Sequence, residues 1–92
     1  MFDKKSALDR AAKVLAEKVP PDQSWAIIED QTRESASAWI FFYNSQRYLE
    51  TGNMIHRLAG NGPIFVNKTT GEVKFYGSMP PLEVIIENYE KS

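Results

Sequence analysis

The chain has 92 residues, 42% of them hydrophobic and 25% charged, with a formal net charge of −1 and no cysteine. That length suits one small domain, here residues 1–92 as a whole, and the composition is that of a folded globular chain and not a disordered one. The absence of thiols excludes a disulfide framework and a Cys-based zinc site, and no long basic block exists to hold nucleic acid.

The opening "MFDKKSALDR" contains no apolar signal-peptide core, and no window approaches the ~20 apolar residues of a membrane span. The expectation is a cytoplasmic protein with no membrane partner. Charge is uneven along the chain, with cations collected between Lys4 and Lys18 and acids between Asp22 and Glu34 and again after Leu82. Those acids would steer the protein toward a basic partner.

The first element is a helix. At about 100° per residue, Leu8, Ala11, Ala12, Leu15 and Val19 fall on one narrow arc, and Asp9, Arg10, Lys13 and Glu17 lie opposite. Asp3 or Ser6 can cap it. Pro20 and Pro21 end it, because neither has an N–H and Pro20 drives Val19 out of helical geometry.

"SWAIIE", Ser24 to Glu29, reads as a strand, and the polar "DQTRESAS", Asp30 to Ser37, as a loop. "AWIFFYN", Ala38 to Asn44, is the strongest strand. Trp39, Phe41 and Tyr43 take one face, and Ile40 and Phe42 the other, so the strand is either covered on both sides or leaves an aromatic face open. Ser45 to Gly62 is long for a connection and reads as a packed excursion, with Met54, Ile55 and Leu58 able to form one helical turn.

"PIFVN", Pro63 to Asn67, and "EVKFY", Glu72 to Tyr76, form a hairpin around "KTTG", with Gly71 free to take positive φ. The last element, "SMPPLEVIIENYEKS", is a helix capped by Ser78, with Leu82, Ile85, Ile86 and Tyr89 as its apolar stripe. The expected fold is α+β: a four-stranded antiparallel sheet in meander order, with the N-terminal and C-terminal helices packed on one face.

Gly60-Asn61-Gly62 suggests a phosphate-cradling loop, but Pro63 has no N–H to offer, and a strand follows in place of a helix. Gly60, Asn61, Gly62, Pro63 and Gly71 are therefore turn-formers at strand ends, with Asn61 bonding local backbone. His56 is the single histidine, no G-x-S-x-G elbow accompanies it, and neighbouring Glu29 and Asp30 would point to opposite faces of a strand. No catalytic residues, metal ligands or cofactor site emerge. The aromatics and the excursion instead suit a protein interface, for which Tyr43, Arg47, Tyr48, His56 and Arg57 are the candidate anchors. An uncovered aromatic face would also suit a homodimer.

Three stretches together resemble the immunity protein 35 family, also called YrhB-like: "WIFFYNSQRYLETGN" at Trp39 to Asn53, "LAGNGPIFVNKTTGEV" at Leu58 to Val73, and "GSMPPLEVIIENYE" at Gly77 to Glu90. The resemblance implies a non-enzymatic cytoplasmic protein that binds and blocks a cognate toxin encoded by a neighbouring gene. It also implies an alternative, a chaperone-like protein that binds unfolded clients. It maps no catalytic residue onto this chain.

Overall fold

In the computed structural model, which describes residues 1–91, Asp3 opens the first helix. Its carboxylate accepts the amide of Ser6 at 2.8 Å, one of the amides that a helix start leaves without a partner. That backbone bond is the main reason the Asp3 carboxyl sits below its ordinary pKa. Helix α1 runs Lys4–Lys18 and ends at Val19, whose backbone is extended ahead of Pro20. Its buried residues are Ala7, Ala11 and Leu15. Leu8 and Val19 are only half-buried and Ala12 is exposed, so the stripe is rotated from the one centred on Leu8. The small side chains of Ala7 and Ala11 let the helix sit close to the sheet, which moves Leu8 to the flank.

Six strands follow: β1 Trp25–Ile27, β2 Arg33–Glu34, β3 Ala38–Phe41, β4 Tyr43–Ser45, β5 Asn61–Asn67 and β6 Val73–Gly77. They form a four-stranded sheet ordered β2-β3-β5-β6 and a two-stranded sheet β1-β4, not the single four-stranded sheet expected. All pairings are antiparallel. The difference arises at Phe42, where "AWIFFYN" breaks into β3 and β4. Before the break, Ile40 lies opposite Phe65 and Phe41 opposite Ile64. After it, Asn44 lies opposite Ala26. The carbonyl of Phe42 itself accepts the amide of Ile28 at 2.8 Å, so the break is already engaged with the β1 side. The expected loop Asp30 to Ser37 contains β2, two exposed residues paired with Ile40 and Trp39.

The helices cover opposite faces of the larger sheet, which corrects the expectation that both lie on one. Alternation along β3 and β5 sends Phe41, Ile64 and Val66 toward Ala7, Ala11 and Leu15 of α1. The same alternation sends Ala38, Ile40 and Phe65 toward Ile85 and Tyr89 of α3, Leu82–Lys91. Phe65 meets Tyr76 edge-on and Tyr89 at a tilt, each at 4.9 Å between ring centroids. Ile40 and Phe65 are both fully buried. A sheet with one face bare would forgo about 1.5–3 kcal/mol for each of these two side chains. Two-sided strands therefore require a helix on each side.

Helix α3 is fastened near its end. Glu90 accepts hydrogen bonds from the hydroxyls of Ser35 and Ser37, both at 2.6 Å, and from the amide of Ser37 at 3.1 Å. A carboxylate in the last turn opposes the helix dipole, so these donors from the β2–β3 connection are what make the position favourable. They hold the Glu90 carboxyl below its ordinary pKa, the Ser35 bond contributing most.

At the start of β5 the register slips between Asn61 and Ile64. Asn61, Gly62 and Pro63 thus lie within the strand and do not form a turn ahead of it; of this group only Gly60, at φ +79°, turns the chain. A Cβ on Gly62 would overlap the carbonyl oxygens of Tyr76 and Gly77. Gly71 behaves as expected, taking φ +75° and donating its amide to the carbonyl of Asn67 at 2.9 Å.

Candidate functional site

The excursion after β4 is built by short-range hydrogen bonds and very little burial. Ser45 ends the strand and caps helix α2, Gln46–Thr51, accepting the amide of Tyr48 at 3.4 Å. The Thr51 hydroxyl donates to the carbonyl of Arg47 at 2.7 Å. Gly52 closes the helix at φ 71° with its amide on the carbonyl of Tyr48, a left-handed cap for which glycine has no Cβ penalty. Asn53 then caps a single 3-10 turn, Met54–His56, by accepting the amide of Ile55 at 3.1 Å.

Two asparagines fasten this segment to the sheet. Asn44 is buried in β4, and its side-chain oxygen accepts the amides of Ser45 at 2.8 Å and Leu58 at 2.9 Å. Asn61 donates its side-chain N–H to the carbonyl of Tyr43 at 2.6 Å. That contact spans 18 residues and replaces the local bond expected of Asn61. The excursion is thus tied at its far end by both asparagines, one on each side of the connection.

Between these ties the segment shows apolar side chains to solvent. Ile55 is 80% exposed and Met54 62%, with Leu49 also exposed. Beside them is an open depression of about 500 Å³ lined by Arg47, His56, Arg57 and Leu58 from the excursion, Ser45 at its root, and Asp22 to Ser24 ahead of β1. Arg57 also borders a second depression with Met54, Gly60, Asn61 and Ser78.

Of the five expected anchors, three meet here: Arg47, His56 and Arg57. Tyr48 is half-buried within α2 and does not line the depression. Tyr43 is half-buried and packs against the core cluster under α1. Its ring lies 5.6 Å from that of Trp25 and 6.1 Å, edge-on, from that of Phe75, and burial raises its phenol pKa. Ile55 and Met54 give no sign in the sequence of being exposed, because apolar residues in a helical turn are ordinarily core. Asn44 is equally silent, because an amide in a strand carries no signal of what it will bond. Among the described residues no three His, Cys, Asp or Glu side chains gather to hold a metal ion, and no helix is long and apolar enough to cross a membrane.

Comparison with known proteins adds a family to this geometry. Over 55 residues the chain is 38% identical to "Uncharacterized protein YrhB" of Escherichia coli strain K12. That stretch covers 60% of this chain and 58% of YrhB, so the match spans less than two thirds of that relative. No solved structure matches the chain. The family model described as immunity protein 35 matches residues 5–91, from the first turn of α1 through the last residue of α3. It therefore takes in every helix and strand described above, and the chain belongs to the immunity protein 35 family.

Proposed function

We propose that this protein neutralises a cognate toxin by binding it, with the α2 segment and the 3-10 turn as the contact surface. The observation that carries the reading is Ile55, 80% exposed on a segment whose backbone is capped at Ser45, Gly52 and Asn53 and tied at Asn44 and Asn61. An exposed branched aliphatic side chain on a pre-ordered backbone suits an interface, because little conformational freedom is lost when a partner covers it. Arg47 and Arg57 flank it, and arginine is among the residues enriched at interface hot spots. The family supports a toxin as the partner. Inhibition then follows from occlusion: the protein covers the toxin's working surface and performs no chemistry of its own.

The test is co-expression with the toxin encoded beside the gene. The wild-type chain protects the host cell, and Ile55→Asp fails to protect while its melting temperature stays at the wild-type value. Full protection by Ile55→Asp would remove this surface from the binding site.

A further inference from the structure

We infer that the partner surface docking on the α2 segment is acidic, and that Arg47 and Arg57 each engage a carboxylate on it. The inference rests on the reading of this segment as the toxin-binding surface, and it names the chemistry of what binds there.

Four cations elsewhere in the fold have partners. Arg10 donates through Nε to the carbonyl of Gly71 at 3.0 Å. Lys68 pairs with Glu34 and lies over the ring of Trp39, and Lys91 pairs with Glu87. Lys18 lies over the ring of Phe75. Among the described residues neither the Arg47 nor the Arg57 guanidinium has a hydrogen bond, ion pair or ring contact, which is also true of Arg33, Lys4, Lys13 and Lys74; what sets the pair apart is that both line one depression beside exposed Ile55. The His56 ring is likewise without a partner. The fold presents these groups without using them.

Within the depression the ionisable side chains are Arg47, Arg57, His56 and a single acid, Asp22. With His56 neutral the depression carries one more cation than acid, although the whole chain has a net charge of −1; Glu50, also on α2, accepts from the Gln46 side chain and does not line it. Charges farther away than the Debye length of about 8 Å are largely screened at physiological salt, so the local excess governs a docked partner. This reverses, at the contact itself, the basic partner expected from the acids elsewhere in the sequence. A guanidinium forks onto a carboxylate with two parallel N–H···O bonds. Exposed Ile55 and Met54 would seal such pairs from water and strengthen them.

A nucleic acid is the other polyanion to weigh. It would call for a basic stripe that follows phosphates, whereas here two arginines flank an apolar centre. The arrangement favours a protein.

The experiment uses the full chain and the purified toxin encoded beside its gene, with affinity measured by calorimetry at about 50 and 300 mM salt. For the doubly reversed variant R47E/R57E the expected result is a loss of affinity of about 100-fold or more, with melting temperature unchanged. R47K/R57K keeps the charge but not the fork, and is expected to lose about 10-fold. Wild-type affinity should weaken as salt rises. If R47E/R57E binds like wild type while Ile55→Asp does not bind, the surface is right and its acidic partner chemistry is wrong. If both variants bind like wild type, or the wild-type chain forms no complex with the toxin, the underlying reading fails and the inference with it. Tighter wild-type binding to a DNA duplex than to the toxin would also overturn it.

Discussion

Glu90 Oε1 and the hydroxyl of Ser37 lie 2.6 Å apart although 53 residues separate them in sequence. The contact closes the C-terminal helix onto the connection between β2 and β3, and it depends on Glu90 being ionised. The carboxyl titrates below its ordinary value of 4.5 in the folded protein because hydrogen bonds from Ser35 and then Ser37 favour the anion. Its contribution is therefore complete above the unfolded pKa and disappears as pH falls through the lower folded one. Glu90→Gln should cost about 1 kcal/mol at neutral pH, a modest figure because the group is only half-buried. Urea unfolding from pH 7 to pH 3 should show the two proteins converging at the acid end. A gap independent of pH would mean the carboxylate charge is not what holds the helix.

Two glycines of the β5–β6 pair should respond differently to alanine. A Cβ at Gly62 would overlap the carbonyl oxygens of Tyr76 and Gly77, whereas a Cβ at Gly77 meets nothing within 4 Å. Gly62→Ala must push β5 from β6 and should cost about 2–4 kcal/mol. Gly77→Ala should stay within about 0.5 kcal/mol of wild type. Denaturant midpoints decide it, and equal losses at the two positions would contradict the close backbone approach.

Replacing Asn44 by alanine removes the acceptor for the amides of Ser45 and Leu58. The expected cost is about 1–3 kcal/mol, because the side chain is buried and leaves donors without a partner. The excursion should also loosen. Amide exchange at Leu58 should accelerate and trypsin should cut sooner after Arg57. Unchanged protection at Leu58 would show that the excursion is held by something else.

Tyr43 and Ile55 separate packing from contact. The Tyr43 ring lies at a tilt to Trp25 and edge-on to Phe75 and is half-buried, so Tyr43→Ala should destabilise by about 2–3 kcal/mol. Ile55→Ala, at a side chain already in water, should change stability by less than about 0.5 kcal/mol. Thermal melts of the two variants read the difference directly, and similar losses would place Ile55 in the core.

Much of the scaffold was legible in residue pattern. Asp3 caps α1 as its position suggested, and Pro20 and Pro21 end the helix. The division of Trp39, Phe41 and Tyr43 from Ile40 and Phe42 holds across the break at Phe42. The side of the sheet that each helix takes was harder. A helical stripe says which face of the helix is buried, not which face of the sheet it meets. The signal lay in the strands: "AWIFF" and "PIFV" are apolar at consecutive positions, which calls for cover above and below. β2 was illegible because two exposed polar residues, Arg33 and Glu34, have no periodicity to read.

Where the expected anchors fall depends on local folding of the same kind. Arg47, His56 and Arg57 converge because a six-residue helix and a one-turn helix fold back beside β1. The caps that build those turns, Ser45, Gly52 and Asn53, were present in the sequence as ordinary punctuation. Tyr43 packs beside Trp25 and Phe75, apart from the depression that gathers Arg47, His56 and Arg57, because an aromatic at a strand end is equally suited to packing against a core and to a docking face.

The two asparagine ties bear on which side chains of the excursion are free to change. Asn44 holds the backbone amide of Leu58, and Asn61 holds the backbone carbonyl of Tyr43. Both grips fall on backbone atoms, so neither requires a particular side chain at Arg47, Ile55 or Arg57. On the function proposed above, Arg47, Ile55 and Arg57 can be exchanged to suit a different partner while both ties, and the caps at Gly52 and Asn53, keep the backbone in place.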